Sequence, residues 1–475
     1  MEDPVPDNLA LMTDSYKASH ARLYPPGMTH VFSYLEARGG IFPETIFFGL
    51  QAYLLEYLTG PVISGEDIDE AEAFWTAHFG RHDVFSPAAW RALLEQHGGR
   101  LPVRIRAVPE GTSVPVDNVL MTIENTDPAF AWLPGWLETL LLKIWYPTTI
   151  ATQSATIRRD IAAAYAASGE DPAACGFACH DFGYRGVSSE QTAGLGGAAH
   201  LLSFDGTDTV AGIRLLARAY DGGMSGFSIP ATEHSVIVAW GRDHEEAAYK
   251  HLLETFPGGV IACVSDSYDI FAAVERIWGE GLGAEVLARA GTLVIRPDSG
   301  DPAEIVPWVL DTHWQRFGGT VNAAGLKVLD PRVRVIQGDG MALNSIGPLY
   351  QTIIARGYSA VNLTVGSGGG LLQKVNRDTC QFALKTSEVT VAGRTYGVAK
   401  TPVTDANKRS KEGRLKLVRT PDGGWETLSS IDHPDRFETA HDELVTVFES
   451  GDLVQRWSLA DIRERVRSAA PTAGR

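Results

Sequence analysis

The chain has 475 residues, of which 44% are hydrophobic, and its 41 basic and 58 acidic side chains give a formal net charge of −17. This length and apolar content can bury a large core and predict two or more domains. The acidic balance argues against a nucleic-acid partner, which requires extended basic faces that displace counterions from phosphates. Any anionic ligand must therefore be held by a local basic cluster.

The N-terminal segment has no basic stretch followed by a long apolar run, so it does not predict a signal peptide. The most apolar stretch, residues 130–150, contains Pro134, Glu138 and Lys143. A membrane span needs about 20 uninterrupted apolar residues, so this stretch predicts a buried helix. The four cysteines are too few and too scattered for a disulfide framework. We expect a cytoplasmic protein without a membrane partner.

The two ends of the chain show a mixed pattern. Residues 1–145 combine short β-like runs, such as THVFSYLEA and VLMTIENT, with helical patterns such as EAEAFWTAHF. After residue 376, FALKTSEVTVAGRTYGVAKTPV alternates apolar and polar residues and is broken by turn residues, as antiparallel strands are. We expect residues 1–145 and 376–475 to pack together as one discontinuous, β-rich α+β domain.

From about residue 177 a unit of apolar strand, polar tip and helical pattern recurs. Alternating strands and helices predict a parallel sheet, which either opens as a doubly wound sheet or closes as a barrel. We expect an α/β barrel over residues 146–375, with its strand ends converging on one mouth. The seven tips are HDFGYRG (180–186), FDGTD (204–208), PATEHS (230–235), SDSYD (265–269), RPDSGD (296–301), QGDG (337–340) and GSGGG (366–370).

Three segments are candidates for binding phosphate. QGDG and GSGGG are glycine-rich, and each precedes a helical pattern. Glycines let the backbone approach a ligand closely, and the N–H groups that open a helix bind phosphate. The run KRSKEGRLKLVR, residues 408–419, places six cations against one Glu. It is either a solvated hairpin or a site for phosphate or pyrophosphate.

These motifs resemble those of the nicotinamide phosphoribosyltransferases, a branch of the type II phosphoribosyltransferases. The resemblance covers nearly the whole chain and implies that nicotinamide and phosphoribosyl pyrophosphate give nicotinamide mononucleotide and pyrophosphate, the salvage step toward NAD, with Mg²⁺. Such a transfer depends on positioning and electrostatics. The resemblance rests on LMTDSYKASH, HDFGYRGVSSEQTAGLGGAAH, GTDTVAG, VSDSYDI, IRPDSGDP, VIQGDG, GSGGGLLQKVNRD and NKRSKEGRL.

The resemblance implies a set of contacts to nicotinamide. Phe182 stacks on one face of the ring, and Tyr16 of a second subunit stacks on the other, so the protein is expected to be a homodimer with shared sites. Arg296 donates to the carboxamide oxygen. Asp208 accepts from the amide nitrogen, and its carboxylate repels nicotinate.

The resemblance also implies contacts to the sugar and the phosphates. Asp298 accepts from the ribose hydroxyls, whereas Asp301 is expected to cap the helix that begins at Pro302. The ribose and its 5′-phosphate are held by Gly338, Asp339, Gly368, Gly369 and Arg377. The cations around the pyrophosphate are Arg185, Lys400 and Lys408.

His234 corresponds to the residue that family members phosphorylate when they couple ATP hydrolysis to turnover. An imidazole is a suitable nucleophile if an acid orients its other nitrogen. Glu233 points elsewhere on an extended strand, so we expect Asp266 to be the orienting acid. Asp266 and Ser267 are candidates for ordering water or magnesium, and the metal ligands stay open.

Three other functions compete with this interpretation of the sequence. A nicotinate phosphoribosyltransferase of the same fold is distinguished by Asp208. A barrel lyase or isomerase acting on a sugar phosphate would need a lysine or an acid–base pair at the tips, and no tip contains a lysine. Intact Arg296, Asp298 and His234 argue against a catalytically inactive binding protein. The sequence departs from the family at residues 400–402, where Lys-Thr-Pro replaces Lys-Asp-Pro.

Overall fold

The structure is a computed structural model that describes residues 8–400 and 410–468. Lys408, which the resemblance places at the pyrophosphate, lies outside the described residues. The described chain divides into two compact units. The first unit draws on residues 1–152, 219–221 and 376–475, and the second on residues 153–218 and 222–375.

The strands are between 2 and 10 residues long. They are β1 (Met28–Ala37), β2 (Glu44–Ile46), β3 (Val103–Ala107), β4 (Ser113–Pro115), β5 (Asn118–Asn125), β6 (Cys179–Asp181), β7 (Gly206–Thr207), β8 (Gly258–Val264), β9 (Ala290–Arg296), β10 (Gly319–Val321), β11 (Lys327–Leu329), β12 (Val333–Gln337), β13 (Leu363–Ser367), β14 (Phe382–Val391), β15 (Arg394–Gly397), β16 (Leu415–Arg419), β17 (Trp425–Ser429), β18 (Val445–Glu449) and β19 (Asp452–Leu453).

The α-helices vary from a single turn to the 23 residues of the longest one. They are α1 (His20–Leu23), α2 (Leu50–Tyr53), α3 (Gly65–Phe79), α4 (Pro87–His97), α5 (Leu133–Leu142), α6 (Trp145–Ala167), α7 (Glu190–His200), α8 (Val210–Ala219), α9 (His234–Val238), α10 (Glu245–Thr255), α11 (Ile270–Ala272), α12 (Gly283–Ala288), α13 (Pro302–Phe317), α14 (Leu343–Ala355), α15 (Gly369–Leu372), α16 (Pro434–Thr439) and α17 (Leu459–Ser468).

The first unit is built on a seven-stranded sheet in the order β15-β14-β1-β5-β3-β18-β19. Its named pairings are antiparallel, and β1 lies between β14 and β5. Leu35 of β1, for example, pairs with Leu384 of β14. Strand β3 alternates buried and half-buried residues, so one face of this strand is covered more completely than the other. One sheet therefore takes strands from both ends of the chain.

The sequence predicted one buried helix over the apolar stretch 130–150, and this prediction is wrong. The stretch contains α5 and the first turns of α6, separated at Lys143 and Ile144. Pro147 lies in the first turn of α6, where its missing N–H costs no helical hydrogen bond but prevents an unbroken helix through this point. No helix within residues 8–400 and 410–468 has the length and apolar character needed to cross a membrane.

The second unit is built on a parallel sheet in the order β7-β6-β13-β12-β9-β8. The segment 227–232 bonds to both edges of this sheet. Phe227 forms a parallel bridge to Gly206 of β7, and Ala231 forms one to Ala262 of β8. The predicted parallel barrel is confirmed, with this irregular segment as its seventh element.

Candidate active site

A cavity of about 1070 Å³ lies at the carboxyl ends of the barrel strands. Side chains and glycines from six of the seven predicted tips line it, because parallel strands bring their carboxyl ends to the same edge. The predicted site residues that it brings together are Phe182, Arg185, Asp208, Arg296, Asp298, Gly338, Asp339, Gly368 and Gly369.

Phe182 is half-buried and lines this cavity. Its backbone N–H donates to the Ser367 carbonyl at 2.9 Å, which ties the tip of β6 to β13. A Cβ at Gly366 would lie 2.0 Å from Cε2 of the ring, so only glycine admits the ring here. The ring packs beside Ile229 on a buried cluster made of Ala262, Val294 and Ile336.

Arg296 is the last residue of β9, and its side chain is 17% exposed. One guanidinium nitrogen lies 3.8 Å from Asp298 Oδ2. Its Nε is buried and has no hydrogen-bond partner among the described residues. A buried donor without an acceptor is costly, so this N–H is available to a ligand.

Asp208 is exposed to the cavity and is fixed at two points. Its Oδ1 accepts a hydrogen bond from the Ser228 hydroxyl. Its backbone N–H donates to the Asp181 carbonyl at 2.9 Å. One carboxylate oxygen is thus engaged by the protein, and the carboxylate retains acceptor capacity for a ligand.

His234 lies beside two carboxylates. Its Nε2 is 2.9 Å from Asp266 Oδ1, and its Nδ1 is 3.9 Å from Asp298 Oδ2. Asp266 is 4% exposed, and its Oδ2 accepts from the Asp298 backbone N–H at 3.2 Å. Asp266 therefore holds Nε2 of the imidazole, and Nδ1 is directed toward Asp298.

The expected extended strand through Glu233 and His234 is only half present, because Glu233 is extended whereas His234 begins α9. Glu233 still turns away from the imidazole. It accepts from the Ser235 hydroxyl and pairs with Arg185 at 3.3 Å. The hydrogen bond from Ser235 is the main cause that lowers the pKa of Glu233, with Arg185 adding to it. Arg185 is otherwise 86% exposed.

The two glycine-rich tips lead into helices of different length. QGDG is followed by α14, whereas GSGGG runs into the single turn α15, which begins within it at Gly369. The predicted helix is therefore confirmed after QGDG, whereas only a single helical turn is present at GSGGG. At Gly338, a Cβ would lie 3.4 Å from Asp298 Oδ1 and 3.5 Å from the Phe182 ring, so the small residue keeps this wall open.

Three predicted residues belong to the first unit and are not among those that line the cavity. Tyr16 is 59% exposed in a short turn of helix, Ser15–Ser19. Arg377 is bonded to Asp378 at 3.3 Å. The backbone N–H of Lys400 donates to the Ser410 hydroxyl at 2.8 Å. The roles expected for these residues stay predictions.

The described cations of the basic run are held by partners in the first unit. Lys411 binds Glu36 and Asp117. Arg414 pairs with Glu124 at 2.6 Å. Lys416 and Arg419 are also engaged, Lys416 by backbone carbonyls and Arg419 by the face of the Trp425 ring. For these four cations the structure favours a role in holding the unit together over a phosphate site.

No group of three or more His, Cys, Asp or Glu that could hold a metal ion occurs among the described residues. Mg²⁺ is usually bound by one or two carboxylates together with substrate phosphates and water. Asp298 and Asp339 line the cavity and could supply such carboxylates. The donor set therefore fits a Mg²⁺ site that is completed by a phosphate-bearing substrate.

Sequence reasoning missed two residues that hold the tips, Asp181 and Ser228. Asp181 is adjacent to Phe182 in HDFGYRG, but a sequence does not show which way a carboxylate at a strand end points. Ser228 carries no motif signal, because its importance comes from the irregular segment 227–232.

The fold and the sequence together place the chain among the phosphoribosyltransferases. Two solved structures share the fold. Nicotinate-nucleotide pyrophosphorylase from Pyrococcus furiosus is 16% identical, with a TM-score of 0.61 and coverage of 98% of this chain and 97% of that chain. Human nicotinic acid phosphoribosyltransferase is 17% identical, with a TM-score of 0.52 and coverage of 96% and 93%.

Sequence comparison is more specific. A profile of the nicotinate phosphoribosyltransferase (NAPRTase) family matches residues 177–451, and one of the nicotinamide phosphoribosyltransferase N-terminal domain matches residues 8–105. The nicotinamide phosphoribosyltransferase of Xanthomonas campestris pv. campestris is 48% identical over 98% of this chain and 99% of its own. That of Acinetobacter baylyi is 32% identical over 95% and 96%. The chain belongs to the nicotinamide phosphoribosyltransferase family.

Proposed function

We propose that this protein transfers the phosphoribosyl group of phosphoribosyl pyrophosphate to the ring nitrogen of nicotinamide, giving nicotinamide mononucleotide and pyrophosphate. The observation that carries the proposal is the meeting of Phe182, Arg296 and Asp208 in one cavity. A flat ring, a donor with a free N–H and a carboxylate acceptor together match a planar aromatic amide.

Nicotinamide would be recognised through its aromatic ring and its amide group. The half-buried ring of Phe182 offers a stacking surface, and the unpartnered Nε of Arg296 donates toward the amide oxygen. Asp208 accepts from the amide NH₂. Nicotinate would place a second carboxylate against Asp208, and this repulsion disfavours the acid.

The transfer breaks the bond between the ribose anomeric carbon and the pyrophosphate oxygen, which keeps the electron pair. The nicotinamide nitrogen supplies the pair for the new bond and becomes a pyridinium, so no proton has to move. Asp298 would hold the ribose hydroxyls near the developing positive charge. Arg185 would balance the charge of the leaving pyrophosphate, and Gly338 and Gly368 would let the ribose and its 5′-phosphate approach the backbone closely.

Mg²⁺, when bound, would neutralise the charge of the pyrophosphate, with Asp298 and Asp339 as the carboxylates that could hold it. The side chains of the cavity would position the substrates around that charge. We also propose a homodimer, in which the exposed ring of Tyr16 from a second copy covers the nicotinamide, and a cytoplasmic location.

We further propose that His234 couples ATP to turnover. Its nitrogen would attack the γ-phosphorus of ATP, ADP would leave with the bonding electrons, and water would later cleave the phosphohistidine. Asp266, at 2.9 Å from Nε2, would stabilise the imidazolium character that forms.

The direct test is to incubate the purified protein with Mg²⁺, phosphoribosyl pyrophosphate and either nicotinamide or nicotinate, with and without ATP, and to quantify each mononucleotide by chromatography. We expect nicotinamide mononucleotide as the main product and a faster rate with ATP. Product mainly from nicotinate would make the protein a nicotinate phosphoribosyltransferase. No product from either base would refute the proposed transfer.

A further inference from the structure

We propose that Asp181 is a positioning residue that sets the distance between Phe182 and Asp208, the two tips assigned to nicotinamide. The inference rests on the proposed function, which places nicotinamide in this cavity. Asp181 is the last residue of β6 and is fully buried, with 0% exposure. It lies below the cavity mouth and is not among the residues that line the cavity.

The first link runs from Asp181 to the Phe182 tip. Asp181 Oδ1 accepts from the Gly183 backbone N–H at 2.7 Å. Phe182 is therefore held on both sides, by the bond of its own N–H to Ser367 and by the bond of the next N–H to Asp181. A Cβ at Gly183 would lie 2.6 Å from Leu372 Cγ and 3.0 Å from Asp181 Oδ1, so this turn has no space for another residue type.

The second link runs from Asp181 to the Asp208 tip. Asp181 Oδ2 accepts from the Thr207 hydroxyl at 3.5 Å, and the Asp181 carbonyl accepts from the Asp208 N–H at 2.9 Å. The Thr207 hydroxyl in turn accepts from the Thr209 N–H at 2.9 Å. The Thr207 hydroxyl thus ties together the two residues that flank Asp208, Thr207 and Thr209. Asp181 joins this turn to the turn that contains Phe182.

The chemistry of the position supports this role. A buried carboxylate is costly unless it is hydrogen-bonded, so an apolar residue would fill the space at lower cost if packing were all that was needed. Burial raises the pKa of Asp181 to about 6, and the carboxylate of Asp208 on the neighbouring tip acts in the same direction. On its own strand the titratable neighbours are Cys179 and His180, and β13 contributes none beside it.

Protonation would weaken the acceptor that both turns share. We therefore expect the KM for nicotinamide, measured at saturating phosphoribosyl pyrophosphate, to rise as the pH falls from 7.5 through 6. Asp181→Asn keeps the shape and an acceptor for Gly183 but cannot titrate. At pH 7.5 its KM for nicotinamide should be close to that of the wild type. As the pH falls, its KM should rise less than that of the wild type, because the part of the rise that comes from protonation of Asp181 is absent.

Asp181→Ala removes both links. We expect a rise of about tenfold in the KM for nicotinamide, with the KM for phosphoribosyl pyrophosphate unchanged within about twofold. Thr207→Val replaces the hydroxyl with a methyl group of similar size, removes the bonds to Asp181 and the Thr209 N–H, and should raise the KM for nicotinamide by about threefold. Asp181→Asn and Thr207→Val preserve side-chain size, so the test does not depend on whether Asp181→Ala folds.

Two outcomes would overturn the inference. If Asp181→Ala and Thr207→Val leave the KM for nicotinamide unchanged, or raise both KM values equally along with a lower Tm, Asp181 only stabilises the barrel. If Asp181→Asn shows the same pH profile as the wild type, the carboxylate is not the titrating group. Failure of the wild type to use nicotinamide at all would instead count against the proposed function, and it is measured first.

Discussion

At the residue scale, the proposed preference for nicotinamide over nicotinate depends on the charge of Asp208. In Asp208→Asn the repulsion of nicotinate is lost, while the amide oxygen can still accept a hydrogen bond. We expect the ratio of kcat/KM for nicotinate over nicotinamide to rise by about tenfold or more, measured in competition. Asp243→Asn, an exposed position outside the cavity lining, is the matched control. An unchanged ratio would remove Asp208 from the explanation of specificity.

The role of ATP is a second residue-scale question, because His234 has the geometry of an oriented nucleophile beside Asp266. We expect His234→Ala to abolish the stimulation of turnover by ATP while retaining basal transfer, and to prevent labelling of the protein by γ-³²P ATP. His251→Ala, an exposed histidine, should retain both. Full stimulation in His234→Ala would show that another group is phosphorylated.

At the element scale, the start of α13 is fixed by the N-cap residue that precedes it. Asp301 caps the helix, and its side chain accepts from the Ala303 N–H at 2.9 Å, as the sequence predicted. Asp301→Ala should lower the free energy of unfolding by about 1 kcal/mol, measured by urea denaturation. Asp301→Asn retains a capping oxygen and should lose little. Equal losses in the two variants would point to charge, and not the cap, as the contribution of Asp301.

The same helix buries a histidine, His313. Neither ring nitrogen of His313 has a hydrogen-bond partner among the described residues, and burial lowers its pKa to about 3. An unfolded histidine takes up a proton near pH 6.5, whereas folded His313 does not until about pH 3. Below pH 6.5 the unfolded state therefore binds more protons, and the folded state loses stability as the pH falls.

His313→Leu should remove both the cost of burying two ring nitrogens without hydrogen bonds and the loss of stability at low pH. We expect its free energy of unfolding to exceed that of the wild type by about 1 kcal/mol at pH 7.5. This gain should grow by up to about 1.4 kcal/mol per pH unit below 6.5. Chemical denaturation at pH 7.5, 6.5 and 5.5 measures both. A gain that does not change with pH would show that folded His313 also takes up a proton near pH 6.5, contrary to the lowered pKa on which the prediction rests.

At the scale of the whole molecule, the first unit depends on both ends of the chain. Strand β1 is bonded to β14, and β3 is bonded to β18. A fragment ending at residue 375 would leave β1 and β3 with open edges, which promote aggregation. We expect this fragment to be insoluble, whereas a chain ending at residue 468, which retains every described element, stays soluble. A soluble, cooperatively unfolding fragment 1–375 would contradict this interdependence.

The sequence by itself determined the class of fold and the chemistry of the strand ends, because period, turn residues and motif order are local properties of the chain. The barrel, the tips and the cap at Asp301 were all predictable on that basis. The tertiary structure alone decided which side chains meet. Three features depend on contacts between residues far apart in sequence or on an irregular backbone. They are the link from Asp181 to the Phe182 and Asp208 tips, the internal partners of Lys411 and Arg414, and the closure of the barrel by residues 227–232. No local pattern encodes such contacts, since they exist only once packing has brought the elements together.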